Sequence, residues 1–414
     1  MGKIMVVLAA LLAVPVAAFA QDFGIEWLDR VTHERQAERG PLKPQPVEWT
    51  ASAGLLGYLD NNVFLADKTG KTPGDTIIMP FGRARVDYTE QRLDVSADLL
   101  VNYKGYLDTN HDPTVDFQAV RDWEQRFYGH ARYVDARWQI GIDEILRHES
   151  DPIDAVFLTR ERRTVSDTVL QSSYDLTKVW TFEAHGNYEF VRFADKPFST
   201  AADNDNYRID GSLVYRQASG YDWLAQVGYM SIFYTHSQAG GAPPDADGYY
   251  VRGGFRGDLV QRLSVQALAG WIHISGDRYV NTTNHQELDT ADLSINVRYE
   301  VTQDFTVYGD LGRTATFAGD GSAFQTVTRF ALIGEWDCVE NVTVRGRIQW
   351  DHASTELGRQ TEYHSYSLSA SYKFSEHLSG DLGGTFRTGS AHGTVVTSSE
   401  FNDAIVHLGV VLTY

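Results

Sequence analysis

The sequence predicts a single closed antiparallel transmembrane β-barrel of about 18 strands, with short turns at one end and long loops at the other. Three observations point there. From Val47 to Tyr414 apolar and polar residues alternate with period two, the mark of strands with two unlike faces. The strands this implies run to roughly 10–14 residues, against roughly 5–6 for an average globular strand and roughly 9–11 for a bilayer crossing. Trp and Tyr gather on the apolar face beside the short turns, as in the aromatic girdle of a membrane–water interface.

Composition narrows the field. The 414 residues are 43% hydrophobic and 12% aromatic, with a net charge of −19. That is too apolar for a disordered chain and too acidic for a nucleic-acid partner. A single cysteine excludes an internal disulfide framework. After the leader no run approaches the roughly 18 apolar residues of a membrane helix.

Taken in order, residues 1–20 read as a signal peptide. Lys3 precedes an apolar run that is broken by Pro15 and ends in Ala18-Phe19-Ala20. Cleavage near Ala20 would send the protein out of the cytoplasm. Residues 21–46 are polar, end in a Pro-rich piece, and read as a periplasmic N-terminal segment. Residues 47–414 are the barrel. In LDVSADLLVNY, Leu93, Val95, Ala97, Leu99, Val101 and Tyr103 share one face, and Asp94, Ser96 and Asp98 share the other. WTFEAHGNYEF, NVTVRGRIQWD and SYSLSASYKF alternate in the same way. Short turns are expected near Thr89, Val134, Leu176, Ala218, Leu259, Thr302, Cys338 and Ser375, a spacing of about 40 residues that marks a hairpin repeat. Polar loops such as DKTGKTPGD and SQAGGAPPDAD lie between them.

Trp138, Trp180, Trp223 and Trp336 are the girdle residues. Gly82, Ala84, Gly129 and Ala131 would thin the outer wall on two strands. An open sheet edge is too costly in lipid, so the first strand must pair with the last, whose outer row ends at Leu412 and Tyr414.

By the same parity Arg83, Arg85, Asp94, Asp98, Arg252, Arg256, Asp310, Arg345, Arg347 and Asp381 line the lumen. His185 and His407 also point inward. A turn near Thr89 sets Arg85 opposite Asp94, and Asp87 opposite Arg92. Two readings stay open: an Arg-rich pore wall for polar or anionic solutes, or charges that pair across strands in a wet interior. Asp60, Asp67, Asp75, Asp108, Asp112, Asp203, Asp205, Asp245, Asp247, Asp277 and Glu287 are expected in the outer loops, either solvated or holding divalent cations that bridge lipopolysaccharide. No residues have the spacing of a metal site, cofactor site or catalytic set, and Cys338 is expected in a periplasmic turn.

Together the leader, the alternating strands, the turn–loop asymmetry and the terminal Leu412-Thr413-Tyr414 resemble Gram-negative outer-membrane β-barrels. That resemblance implies outer-membrane lipid and lipopolysaccharide as surroundings. It also implies that Tyr414 is part of the signal read by the barrel-assembly machinery. GLLGYLDNNVF at Gly54–Phe64 with MPFGRARVDY at Met79–Tyr88 is similar to the start of a β-barrel porin family associated with exopolysaccharide export clusters. The function to expect is a polar channel for a hydrophilic solute or polysaccharide, not an enzyme. The alternative is a plugged structural or adhesive barrel without transport.

Overall fold

The computed structural model describes residues 45–61, 74–107, 122–149, 162–194, 203–217, 220–234, 245–276, 286–317, 324–355, 358–392 and 399–414. The leader at 1–20, residues 21–44 of the N-terminal segment, and Asp67, Asp108, Asp112 and Asp277 lie outside the described residues.

Every regular element among the described residues is a strand: β1 (Gln45–Asp60), β2 (Asp75–Thr89), β3 (Leu93–Tyr106), β4 (Asp122–Val134), β5 (Trp138–Glu149), β6 (Arg163–Asp175), β7 (Trp180–Phe193), β8 (Asn204–Arg216), β9 (Tyr221–Tyr234), β10 (Ala246–Val260), β11 (Leu263–Gly276), β12 (Gln286–Glu300), β13 (Phe305–Phe317), β14 (Phe324–Val339), β15 (Val342–Thr355), β16 (Gln360–Lys373), β17 (Leu378–His392) and β18 (Ser399–Thr413). Each pairs antiparallel with its sequence neighbours, forming one 18-stranded sheet. The sheet closes where β1 meets β18, in register from Ser52↔Thr413 to Asp60↔Ile405. At the seam Ala51 N donates to Tyr414 O at 2.9 Å, and Tyr414 N donates to Ala51 O at 2.8 Å. The chain is thus a closed antiparallel β-barrel, and β1 starts two residues before Val47.

Burial is inverted relative to a soluble protein. Outward Ile209, Leu368 and Leu408 are 62%, 62% and 61% exposed, whereas inward Asp403 is 0% exposed. An apolar belt outside and ionised groups inside fit hydrocarbon around the barrel. Trp138, Trp180, Trp223 and Trp336 are all exposed on that belt. Trp138 packs on Tyr133 with centroids 5.1 Å apart, and Trp180 on Tyr215 at 4.9 Å. A carboxylate interrupts the belt. Glu144 faces outward beside its register partner Gly129, and its oxygens accept from Ser166 Oγ at 2.6 Å and from Thr168 Oγ1.

Two details differ from the sequence reading of the turns. The β2–β3 turn centres beyond Thr89, which pairs with Asp94. Arg85 therefore lies opposite Asp98 and Asp87 opposite Ser96. A slide by an even number of residues keeps every side chain on its face but changes its partner. Arg92 accordingly leaves the lumen row. It sits in the turn, where Nη1 is 3.2 Å from Asp135 and 3.4 Å from the Tyr133 hydroxyl. Cys338 belongs to β14, with the turn falling just after it.

Several acids placed in the loops are strand residues. Asp60 and Asp75 end β1 and start β2 as directly opposed, buried neighbours. Asp205, Asp247 and Glu287 also lie within strands, and Asp205 takes Arg192 at 2.8 Å. Asp203 and Asp245 sit just before strands and accept from the backbone nitrogens of Phe193 and Tyr234 at 2.9 and 2.8 Å.

One seam opens toward the loop end. β12 and β13 pair from Glu300↔Thr306 only as far as Leu293↔Arg313. β12 continues along β11 to Gln286, and β13 continues along β14 to Phe317↔Phe324. Above Arg313 the described ends of β13 and β14, together the β13–β14 tip, part from β12 and pack toward the lumen. Ala315 and Phe324, which have outward parity, are buried against inward Met230, Ile232, Ile272 and Ile274. On the other side of the tip, inward Val327, with Ala353 of β15, packs with Val191 and Phe193 of β7 from the far wall.

Candidate functional site: the barrel lumen

The lumen divides along the strands. On β2 the inward row reads Ile77, Met79, Phe81, Arg83, Arg85, Asp87 from loop end to turn end. The loop-end half holds packed apolar side chains, with Leu56, Met79, Phe81 and Leu100 in one buried cluster, beside buried ion pairs such as Lys104 with Glu124 at 2.6 Å. A second cluster surrounds the β13–β14 tip. Sequence reading missed these side chains. Their signal was available, since Ile77, Met79 and Phe81 share parity with Arg83.

The turn-end half is a lattice of ion pairs. Arg83 Nε donates to Asp98 Oδ1 at 2.9 Å, and Arg85 Nε to Asp87 Oδ2 at 2.7 Å. Asp94 accepts from Thr89 Oγ1 at 2.8 Å. Arg252 bonds Asp292 on β12. Arg256 reaches Glu183 on β7 with two hydrogen bonds, of 2.9 and 2.6 Å. Arg345 Nη2 lies 3.3 Å from Glu335. Arg347 donates to Gln349, which donates to Asp351 at 2.5 Å; Arg329 reaches the same carboxylate at 2.8 Å. Asp310 faces inward between Asn296 and Ala331. Asp381 accepts from Ser371 Oγ at 2.7 Å and lies 2.6 Å from His407 Nε2; His185 Nδ1 lies 3.0 Å from Asp210. Such fixed fork-and-carboxylate pairs hold arginine side chains against the wall.

At mid-wall Tyr250 joins several of these groups. Its ring carries Arg208 at 4.7 Å and Arg252 at 4.5 Å from the centroid. Its hydroxyl accepts from Arg208 Nε at 3.0 Å and donates to Asp210 Oδ2 at 2.9 Å. The ring lies flat over Gly228, where a Cβ would fall 2.2 Å from Tyr250 Cζ. This arrangement is polar, ionised and rigid. It can line a water path.

Tyr414 lies outward and exposed at the closing seam, its ring stacked on His377 with centroids 5.7 Å apart.

No family model matches the sequence, and no curated protein matches it. Among solved structures, the barrel is similar to the apoprotein form of the FrpB iron transporter from Neisseria meningitidis, at 10% identity and a TM-score of 0.48. That match covers 90% of this chain and 82% of the other. It is also similar to outer membrane protein opdK from Pseudomonas aeruginosa, at 12% identity and a TM-score of 0.45, covering 89% and 99%. A BenF-like porin from Pseudomonas fluorescens matches at 11% identity and a TM-score of 0.46, covering 90% and 100%.

Proposed function

We propose that this chain is an outer-membrane channel for hydrophilic solutes, shut at its loop end by the inward β13–β14 tip. The observation that carries the reading is the ionised inner wall of the turn-end half inside an apolar outer belt, an arrangement that makes sense only with water in the lumen. The tip is held by apolar contacts, of which Phe193 against Ala353 and Val327 is the part that crosses the lumen. Planar-bilayer recording of the refolded chain tests this. The channel should conduct in steps, and Phe193→Ala should raise its open fraction. A folded barrel that never conducts, with or without that substitution, would reject a channel.

Passage of polysaccharide is a finer reading. It rests on the likeness of the β1–β2 hairpin to the exopolysaccharide-associated porin family. Lipopolysaccharide contact at the Arg192–Asp205 rim, and Tyr414 as the residue read by the assembly machinery, belong to the same proposal. A second reading is favoured by the packed loop-end clusters: a permanently plugged structural or adhesive barrel. Silence of the Phe193→Ala variant in the bilayer would select it.

A further inference from the structure

We infer that the lumen selects for cations, through aspartates at its turn-end mouth that make no ion pair with arginine or lysine. This deepens the channel reading and rests on it. An arginine-rich inner wall suggests anion passage, but the geometry reverses the sign. Arg83, Arg85, Arg252, Arg256, Arg329 and Arg345 lie against wall carboxylates within hydrogen-bond reach, so their charge is cancelled locally, whereas Arg208 donates to the Tyr250 hydroxyl and Arg347 to Gln349. Along the inner rows, carboxylates outnumber guanidinium and ammonium groups.

The surplus is placed in a repeating way. At the β2–β3, β10–β11 and β14–β15 turns, an inward aspartate accepts from a hydroxyl directly across the turn. Asp94 takes Thr89 Oγ1 at 2.8 Å, Asp258 takes Ser264 Oγ, and Asp337 takes Thr343 Oγ1 at 2.6 Å. A neutral hydroxyl fixes a carboxylate in position and leaves its charge intact, whereas a guanidinium would cancel it. Arg132 on β4 is the register partner of Asp94 but makes no hydrogen bond or ion pair with it, and the imidazole of His130 is 3.8 Å away. Asp175 repeats the motif with Thr181 at 2.8 Å, but there Arg216 also binds at 2.6 Å and compensates. Lys373 is the inward cation at the end of β16, on the same rim. Further in, Asp210 and Asp381 are likewise held by imidazole, amide or hydroxyl groups. A surplus of one charge sign at a channel mouth concentrates counter-ions and repels co-ions.

The test is the zero-current potential of the refolded full chain across a KCl gradient. Potassium should exceed chloride permeability by roughly fivefold or more. The triple variant Asp94→Asn, Asp258→Asn, Asp337→Asn keeps a hydrogen-bond acceptor at each turn and should bring that ratio close to one. A wild-type ratio at or below one, or a triple variant with unchanged selectivity, overturns the inference. If no variant conducts, the channel reading fails and the charge inference is read separately. The Ser367→Cys variant, at an inward position whose register partner is Arg347, is made in a Cys338→Ser background and labelled with cationic and anionic thiosulfonate reagents of equal size. Faster cationic labelling that the triple variant abolishes supports the inference; faster anionic labelling overturns it.

Discussion

Replacing Leu99 by arginine places a charge in hydrocarbon, whereas the same residue at Ser96, on the same strand, faces water and carboxylate. Leu99 points outward between Ala84 and Phe127. It lies six positions from Leu93, where β3 begins. With a rise of about 3.3 Å per residue and a tilt of about 40°, that places it about 15 Å above the turn-end rim. The apolar band of such a barrel is about 25 Å tall, so Leu99 sits near its middle. Arginine there should cost about 2–4 kcal/mol, a shift of roughly 30- to 1,000-fold in the folding equilibrium. Ser96 has Asp87 and His130 as register partners, and arginine there should change stability by less than about 0.5 kcal/mol. Urea unfolding in phospholipid vesicles, followed by tryptophan fluorescence, measures both. Equal penalties at the two positions, or a larger one at Ser96, would refute the assignment of inside and outside.

Two further substitutions probe the wall. Arg387 Nε donates to buried Asp403 at 2.9 Å, with Asp60 beside it. Arg387→Met should lower stability by about 3–5 kcal/mol, because it leaves that carboxylate buried and unpaired; Arg387→Met with Asp403→Leu should recover most of the loss, as a double-mutant urea series would reveal. Gly254 faces the lumen where a Cβ would fall 1.9 Å from the Ala267 carbonyl oxygen, whereas at Gly309 the nearest atom is Val297 Cβ at 3.8 Å. In the same urea assay Gly254→Ala should destabilise by about 1–3 kcal/mol and Gly309→Ala should be close to neutral.

The barrel was legible because its information is local. Period two assigns each side chain to a face, and a turn every two strands fixes the count, whatever the distant contacts do. The β2–β3 register was not legible to the same degree. Parity constrains Arg85 to the lumen, but it cannot choose between Asp94 and Asp98, and that choice belongs to the turn. Glu144 breaks the outer alternation. Its stabilising hydroxyls are on β6, two hydroxyl positions that read as neutral in the strand pattern, and Gly129 on β4 leaves it room. The β13–β14 tip was hidden for a different reason. Phe324 has outward parity and would be assigned to lipid, yet it is buried inside, because the hairpin bends over β12. Contacts across the ring, such as Phe193 with Ala353, join residues remote in sequence that no alternation links. The lumen charges were visible as residue types. Whether an arginine is cancelled by its neighbour depends on diagonal pairing such as Arg83 with Asp98, which only three-dimensional geometry supplies.

The most direct test of the account is a nitroxide scan of Leu93 to Leu99 in lipid vesicles, with collisions read against oxygen and against a water-soluble nickel chelate. Labels at positions 93, 95, 97 and 99 should meet oxygen, and those at 94, 96 and 98 should meet nickel, in strict alternation. Alternation of the opposite phase, or uniform exclusion of both relaxants, would contradict a barrel with hydrocarbon outside and water within.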